Sequence, residues 1–320
     1  MLIKKTRAWE LPGRLVTPEA MFMNRRAFMG ASAGLATILA TGGARADDDP
    51  SMGLYPAKLN PKFADAGRPV TAMEMNNTFN NFYEFGTSKR ISRAAEALPI
   101  RPWEIMFDGE IEAPFTLGID DLFKKVSLEE RIVRHRCVEA WAMVVPWTGF
   151  PLSQLIALAK PKADAKYIQF QTFNLPDIAP GQQPGVFSSY PWPYTEGLTL
   201  EEANHELAFM VTGAYGKPLP KAMGAPIRLH VPWKFGFKSI KSIVRISFVK
   251  ERPVSFWTEL AASEYGFWAN VNPEVPHPRW SQASERMLGS DEQVPTQIYN
   301  GYGEWVAPLY KDLQGENLFM

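Results

Sequence analysis

Along the chain, short runs of apolar residues at two different spacings predict the elements. Trp103, Ile105 and Phe107 alternate with polar or smaller residues before Asp108-Gly109, the period-two pattern of a half-buried strand that enters a hairpin turn. Arg131 to Val138 also reads as extended, and it brings Cys137 near a strand end. The stretch Pro151 to Lys160 instead places its apolar residues at helical spacing, with a proline suited to the first turn. Tyr167 to Phe173, Leu207 to Val211, Ile227 to Val231 and Ile243 to Val249 are further β-like runs. A helix is expected near Thr199, where Thr199 and Glu202 can form a capping box. Twenty-seven prolines and 23 glycines, spread throughout, suit an α+β domain with mixed sheets, long surface loops and few long helices. Asp47 to about Arg68 lacks periodicity and is expected to wrap the surface as an extended leader.

Composition changes the picture at the N-terminus. Asn24-Arg25-Arg26-Ala27-Phe28-Met29 sets paired arginines before a short, weakly hydrophobic stretch, and Ala44-Arg45-Ala46 is a small-x-small cleavage site. Residues 1–46 are therefore expected to be a twin-arginine signal peptide with an extended n-region, and residues 47–320 a single catalytic domain outside the cytoplasm. The 34 basic and 34 acidic residues of the whole chain become 27 and 32 once the 7 basic and 2 acidic residues of that leader are removed. This mildly acidic balance carries no long basic block, so nucleic acid is not an expected partner.

The candidate chemistry centres on the one cysteine of the chain. Cys137 lies in Arg134-His135-Arg136-Cys137-Val138-Glu139, where neighbouring positive charge favours the thiolate, although composition alone favours a buried inert cysteine. A lone thiolate cannot hold an iron–sulfur cluster or structural zinc, but it can hold a metal already chelated by an organic ligand. His135, His205, His230 and His277 show no metal spacing and are expected to be structural or on the surface. Arg228, with Lys234, Lys238 and Lys241 close behind and Gly236 and Ser239 among them, could grip a phosphate or form a solvated basic turn. Asn80-Asn81-Phe82-Tyr83-Glu84-Phe85-Gly86 has the mix of rings and polar groups that a flat polar heterocycle would need. Dinucleotide, Walker, nucleophile-elbow and haem-attachment motifs are missing from the sequence.

Taken together, RRAFM, NNFYEFG, RCVEAWAMVVPW, GFPL, APIRLHVPWKFGFKSIKS, EYGFWANVNP and HPRWSQASER closely resemble the catalytic subunits of periplasmic protein-methionine-sulfoxide reductases, a family of sulfite-oxidase-like molybdoenzymes. The resemblance covers nearly the whole of residues 47–320. It implies a sulfite-oxidase-like molybdopterin-binding domain, a molybdenum–molybdopterin cofactor without a nucleotide, and reduction of methionine sulfoxide residues by oxygen-atom transfer. By this resemblance Cys137 is the protein ligand to molybdenum. Asn80, Tyr83, Glu84 and Thr172 contact the cofactor, and Arg228, Ser239, Ile240 and Lys241 hold its phosphate end. Met223 departs from the pattern, since some members carry a cofactor-contacting asparagine there, so any contact at this position must be backbone or apolar. The implied partners are a haem-containing membrane subunit as electron donor and oxidised periplasmic proteins as substrates. A monomer is expected because the haem and dimerisation domains of animal sulfite oxidases are missing. The alternatives are a sulfite oxidase or small-molecule sulfoxide reductase on the same scaffold, or a periplasmic binding protein that has lost the metal.

Overall fold

The protein's computed structural model describes residues 49–186 and 189–320. The paired arginines, the apolar stretch after them and the Ala44-Arg45-Ala46 site lie outside these residues. Along the described chain the strands are β1 (Glu104–Gly109), β2 (Phe115–Gly118), β3 (Glu129–Arg136), β4 (Trp141–Pro151), β5 (Tyr167–Thr172), β6 (Thr195–Thr199), β7 (Phe209–Ala214), β8 (Lys217–Pro218), β9 (Arg228–His230), β10 (Ile243–Val249), β11 (Ser284–Met287) and β12 (Gln293–Pro295). They make a five-stranded sheet in the order β2-β1-β10-β5-β6 and a seven-stranded sheet along β12-β11-β4-β7-β8, with β3 added to β4 and β9 to β7. Both sheets are mixed, because β1 runs parallel to β10 and β11 parallel to β4 while the other pairs are antiparallel. With its short helices, this is the α+β architecture that the sequence pattern predicts.

Local sequence explains most of these elements. In β1, Ile105 and Phe107 are fully buried whereas Glu104 and Met106 face out, so one side of the strand meets the core. Five residues, 110–114, join β1 to β2, a longer connection than a tight turn at Asp108-Gly109 would give. The helix Leu152–Ala159 buries Leu152, Leu155, Ile156 and Ala159, the one-sided spacing that docks an amphipathic helix, and stops at Lys160 in a left-handed conformation. At the helix Leu200–Asn204, Thr199 Oγ1 accepts from the Glu202 amide and Glu202 Oε2 accepts from the Thr199 amide, each at 3.1 Å. The capping box is thus present.

β4 behaves differently. Every residue from Trp141 to Phe150 is buried, so both faces of the strand are covered, and β3 pairs along it while β7 joins its second half. A strand covered on both faces has no reason to alternate. Trp147 and Phe150 from β4, Phe170 from β5, Phe209 from β7 and Phe248 from β10 belong to one continuous core, in which each large side chain contributes on the order of 2 kcal/mol. The segment around residues 55–63 runs beside β3: the Asn60 amide donates to the Glu130 carbonyl, the Glu130 amide donates to the Lys58 carbonyl, and Phe63 is buried.

Candidate active site

The hairpin between β3 and β4 presents the thiol. Four residues separate the strands, and the turn closes with the Cys137 amide donating to the Trp141 carbonyl at 2.9 Å and the Ala140 amide donating to the Cys137 carbonyl at 3.1 Å. Ala140 takes the left-handed conformation, with φ of 60°, that so tight a reversal needs. A clamp from the C-terminal part of the domain fixes this turn from behind. Arg136 donates to the Cys137 carbonyl, to Glu285 Oε2 at 2.6 Å and to Gln282 Oε1 at 2.8 Å. The Val138 carbonyl in turn accepts from Gln282 Nε2 at 2.8 Å and Trp280 Nε1 at 2.7 Å.

The charges flanking Cys137 do not do what the sequence suggests. Arg134 spends its guanidinium on the Ala66 carbonyl and Gln297, and Arg136 is paired with Glu285. Burial, reinforced by the nearby Glu139 carboxylate, pushes the Cys137 thiol up to about 12, against the smaller opposing effects of the Glu139 amide, Lys89 and Arg136. The expected thiolate activation is therefore corrected to a protonated thiol in the metal-free protein. Ligation of a metal would displace its proton.

Cys137 opens into a cavity of about 840 Å³, including its solvent-facing mouth, which the 80–84 segment, β3, β4, β9 and residues 236–241 also line. Of the expected site residues, Asn80, Tyr83, Glu84, Cys137, Arg228, Ser239, Ile240 and Lys241 all meet there. Gly181 packs behind Tyr83 and Glu84, where a Cβ would come within 2.0 Å of the Tyr83 carbonyl oxygen. Asn81 Nδ2 approaches Cys137 Sγ at 3.5 Å and Glu139 Oε2 at 3.1 Å. Burial raises Glu84 to about 7, opposed by its own backbone and by Lys241.

Two basic groups line the same cavity. Arg228, only 3% exposed, donates to the carbonyls of Leu229, Met223 and Ser239. Lys241 Nζ donates to the carbonyls of Asn81 and Ala222 at 2.8 and 3.0 Å. Neither makes an ion pair among the described residues. Burial first, and for Lys241 the adjacent Arg228 charge second, pushes both below their ordinary values. A buried guanidinium and a half-buried ammonium that donate to carbonyls, lie over the Trp147 and Phe82 rings and have no carboxylate at ion-pair distance among the described residues are suited to receive an anion. A soft sulfur donor and two basic groups lining one cavity fit a metal–pterin carrying a phosphate.

The basic cluster read from the sequence divides here. Lys234 pairs with Glu202 and Lys238 with Glu196, each at 2.5 Å and each fully buried away from the cavity, so only Arg228 and Lys241 serve it. Thr172 does not line the cavity either; its hydroxyl donates to the Ser242 carbonyl at 3.0 Å within the core. Met223 is 1% exposed and does not line the cavity; its carbonyl accepts from Arg228 at 3.0 Å.

The model of the oxidoreductase molybdopterin binding domain matches residues 94–257. The protein-methionine-sulfoxide reductase catalytic subunit MsrP of Burkholderia mallei (strain ATCC 23344) is 44% identical over 335 residues, covering 100% of both chains. The chain belongs to the MsrP family of molybdopterin oxidoreductases. Among solved structures, the sulfane dehydrogenase SoxCD from Paracoccus pantotrophus is similar at 13% identity, over 81% of this chain and 63% of that one, with a TM-score of 0.46.

Several residues of this MsrP-family site escape a sequence reading. His135, expected to be structural or on the surface, lines the cavity; burial, then Arg228 and Lys241, hold it neutral. Gly236 makes room for it, since a Cβ there would lie 2.5 Å from His135 Nε2. Its position two residues before Cys137 on an alternating strand was the available signal. Glu139 is pinned by Lys89 Nζ at 2.5 Å, Trp141 Nε1 at 3.0 Å and Asn81, and these partners keep its carboxyl below the usual range despite burial. Tyr83, Trp257, Tyr265 and Phe237 form an aromatic wall with successive ring centroids 4.9, 5.2 and 5.3 Å apart.

Proposed function

We propose that this chain is the catalytic subunit of a molybdenum-dependent reductase of methionine sulfoxide residues in periplasmic proteins. The observation that carries the reading is the cavity itself, lined by a buried thiol together with the buried Arg228 and the half-buried Lys241, neither of which makes an ion pair among the described residues. Full-length similarity to an MsrP catalytic subunit supports the choice of substrate. In this reading Cys137 Sγ ligates molybdenum, Asn80, Tyr83 and Glu84 bound the pterin, and Arg228, Ser239, Ile240 and Lys241 take the phosphate. Thr172 acts from behind, by holding the Ser242 carbonyl. When bound, molybdenum supplies the two-electron oxygen-atom transfer that turns a sulfoxide, two electrons and two protons into a thioether and water.

The chain's own groups prepare that event. The clamp of Arg136, Gln282 and Trp280 fixes the direction of the thiol. Burial, with Glu139 and Cys137 adding, keeps the Tyr83 hydroxyl protonated and able to donate. The aromatic wall offers rings to a thioether, whose sulfur is drawn to aromatic edges by about 0.3–1.5 kcal/mol. A catalytic subunit implies a second subunit, and we assign it as a haem-containing membrane protein that delivers electrons, with the chain itself exported by the twin-arginine route. Among the described residues no helix is long and apolar enough to cross a membrane.

The test is to assay the molybdenum-loaded enzyme with an oxidised protein and with sulfite side by side. Reduction of the protein's methionine sulfoxide is expected. Oxidation of sulfite without sulfoxide reduction would overturn the assignment in favour of a sulfite oxidase.

A further inference from the structure

From the exposure of its methionines, we infer that Met52 and Met106 are sites of reversible oxidation on this chain, and that their sulfoxides are substrates for a second copy of it. The inference rests on the reductase reading above. Among the described residues these two methionines are the exposed ones, at 45% and 47%. Met143, Met210 and Met223 are at most 5% exposed, and Met287 is 8% exposed, so oxidants such as hypochlorous acid reach them far less readily.

Met106 is exposed by construction. It occupies an outward position of β1, where the alternation that buries Ile105 and Phe107 turns its thioether to the open face of the sheet. Its register partners are Arg245 on β10 and Thr116 on β2. Arg245 is itself half exposed and paired with Asp108 at 2.6 Å. A sulfoxide oxygen beside a solvated guanidinium gains an acceptor role and buries nothing, so the oxidised chain keeps its fold. Met52 begins a single 3-10 turn that buries none of its residues, and it tolerates oxidation for the same reason.

Repair must come from another molecule. Met106 sits in a strand hydrogen-bonded on both edges and does not line the cavity, so its side chain cannot reach Cys137 of its own chain. Oxidation transfers one oxygen from the oxidant to the sulfur and releases chloride when the oxidant is hypochlorous acid. Repair breaks the sulfur–oxygen bond with two electrons from a reduced dye and two protons from solvent, and the oxygen leaves as water.

The experiment labels molybdenum-free wild-type chain with heavy nitrogen, oxidises it with hypochlorous acid and mixes it with unlabelled holoenzyme and reduced viologen. Peptide mass mapping then reads the added oxygen at Met52 and Met106, with a methionine-sulfoxide peptide as control. Met52→Leu and Met106→Leu chains identify each signal and differ only at exposed positions. Loss of the added oxygen from either residue, dependent on holoenzyme, is the expected result. Both residues remaining oxidised while the control peptide is reduced would overturn the inference. Failure to reduce even the peptide would overturn the reductase reading as well.

Discussion

Replacing Glu285 with leucine should cost the protein several kilocalories per mole, because of what its carboxylate holds. Glu285 is fully buried and uses one oxygen for Arg68 and the other for Arg136, the latter at 2.6 Å. Arg68 is 14% exposed and can recover water, but Arg136 has no exposure and would keep an uncompensated charge. Breaking a buried pair from one side typically costs about 3–5 kcal/mol. For a domain of this size that corresponds to a fall in Tm of roughly 6–20 °C, at about 2–4 °C per kcal/mol. The exposed pair Arg286–Asp291 is the reference, since Asp291→Asn should cost at most about 1 kcal/mol. Thermal unfolding of the three metal-free proteins measures the difference. Because Arg136 also holds the Cys137 carbonyl, Glu285→Leu should lose molybdenum faster on dilution than wild type. A Glu285→Leu protein no less stable than Asp291→Asn would refute the idea that this pair anchors the cysteine turn.

Two further outcomes follow from the cavity. Arg228→Met leaves the Met223 and Ser239 carbonyls without their donor, so the metal-free protein should lose on the order of 1–3 kcal/mol, while its retained pterin phosphate drops by roughly tenfold or more, the loss of one charge-assisted contact of about 1.5–3 kcal/mol; undiminished pterin content after purification would count against the phosphate assignment. Glu84 binds its proton more tightly folded than unfolded, with its value raised from 4.5 to about 7. Its contribution to stability is therefore fully present below about pH 4.5 and is lost as pH rises to about 7. Relative to Glu84→Gln, metal-free wild type should lose about 3 kcal/mol over that window, at about 1.4 kcal/mol for each tenfold change in proton affinity. Urea titrations at the two ends of the window would show a constant difference if Glu84 were not buried as described.

Elements with a clean period were legible from the sequence. β1, β10, the helix after Pro151 and the Thr199 capping box follow local rules, and the structure places them where those rules predict. β4 hid because burial on both faces erases alternation and because Pro146 sits inside it. β11 and β12 hid because they are short and owe their existence to tertiary pairing. The same divide runs through the site. Cys137, Arg228 and Lys241 announce themselves by chemistry, yet the fate of a charge depends on distant partners. Glu202 and Glu196 withdraw Lys234 and Lys238 from the cavity, and Glu285 withdraws Arg136 from the thiol. Sequence spacing carries no record of those three carboxylates, nor of Trp257 and Tyr265, which reach the mouth from a remote segment.

The central claim is that Cys137 binds the metal that does the chemistry. X-ray absorption at the molybdenum edge, on holoenzyme and on Cys137→Ser, tests it most directly. The account predicts that the variant loses one sulfur neighbour of molybdenum together with its methionine sulfoxide reduction. An unchanged sulfur shell in an active variant would contradict it.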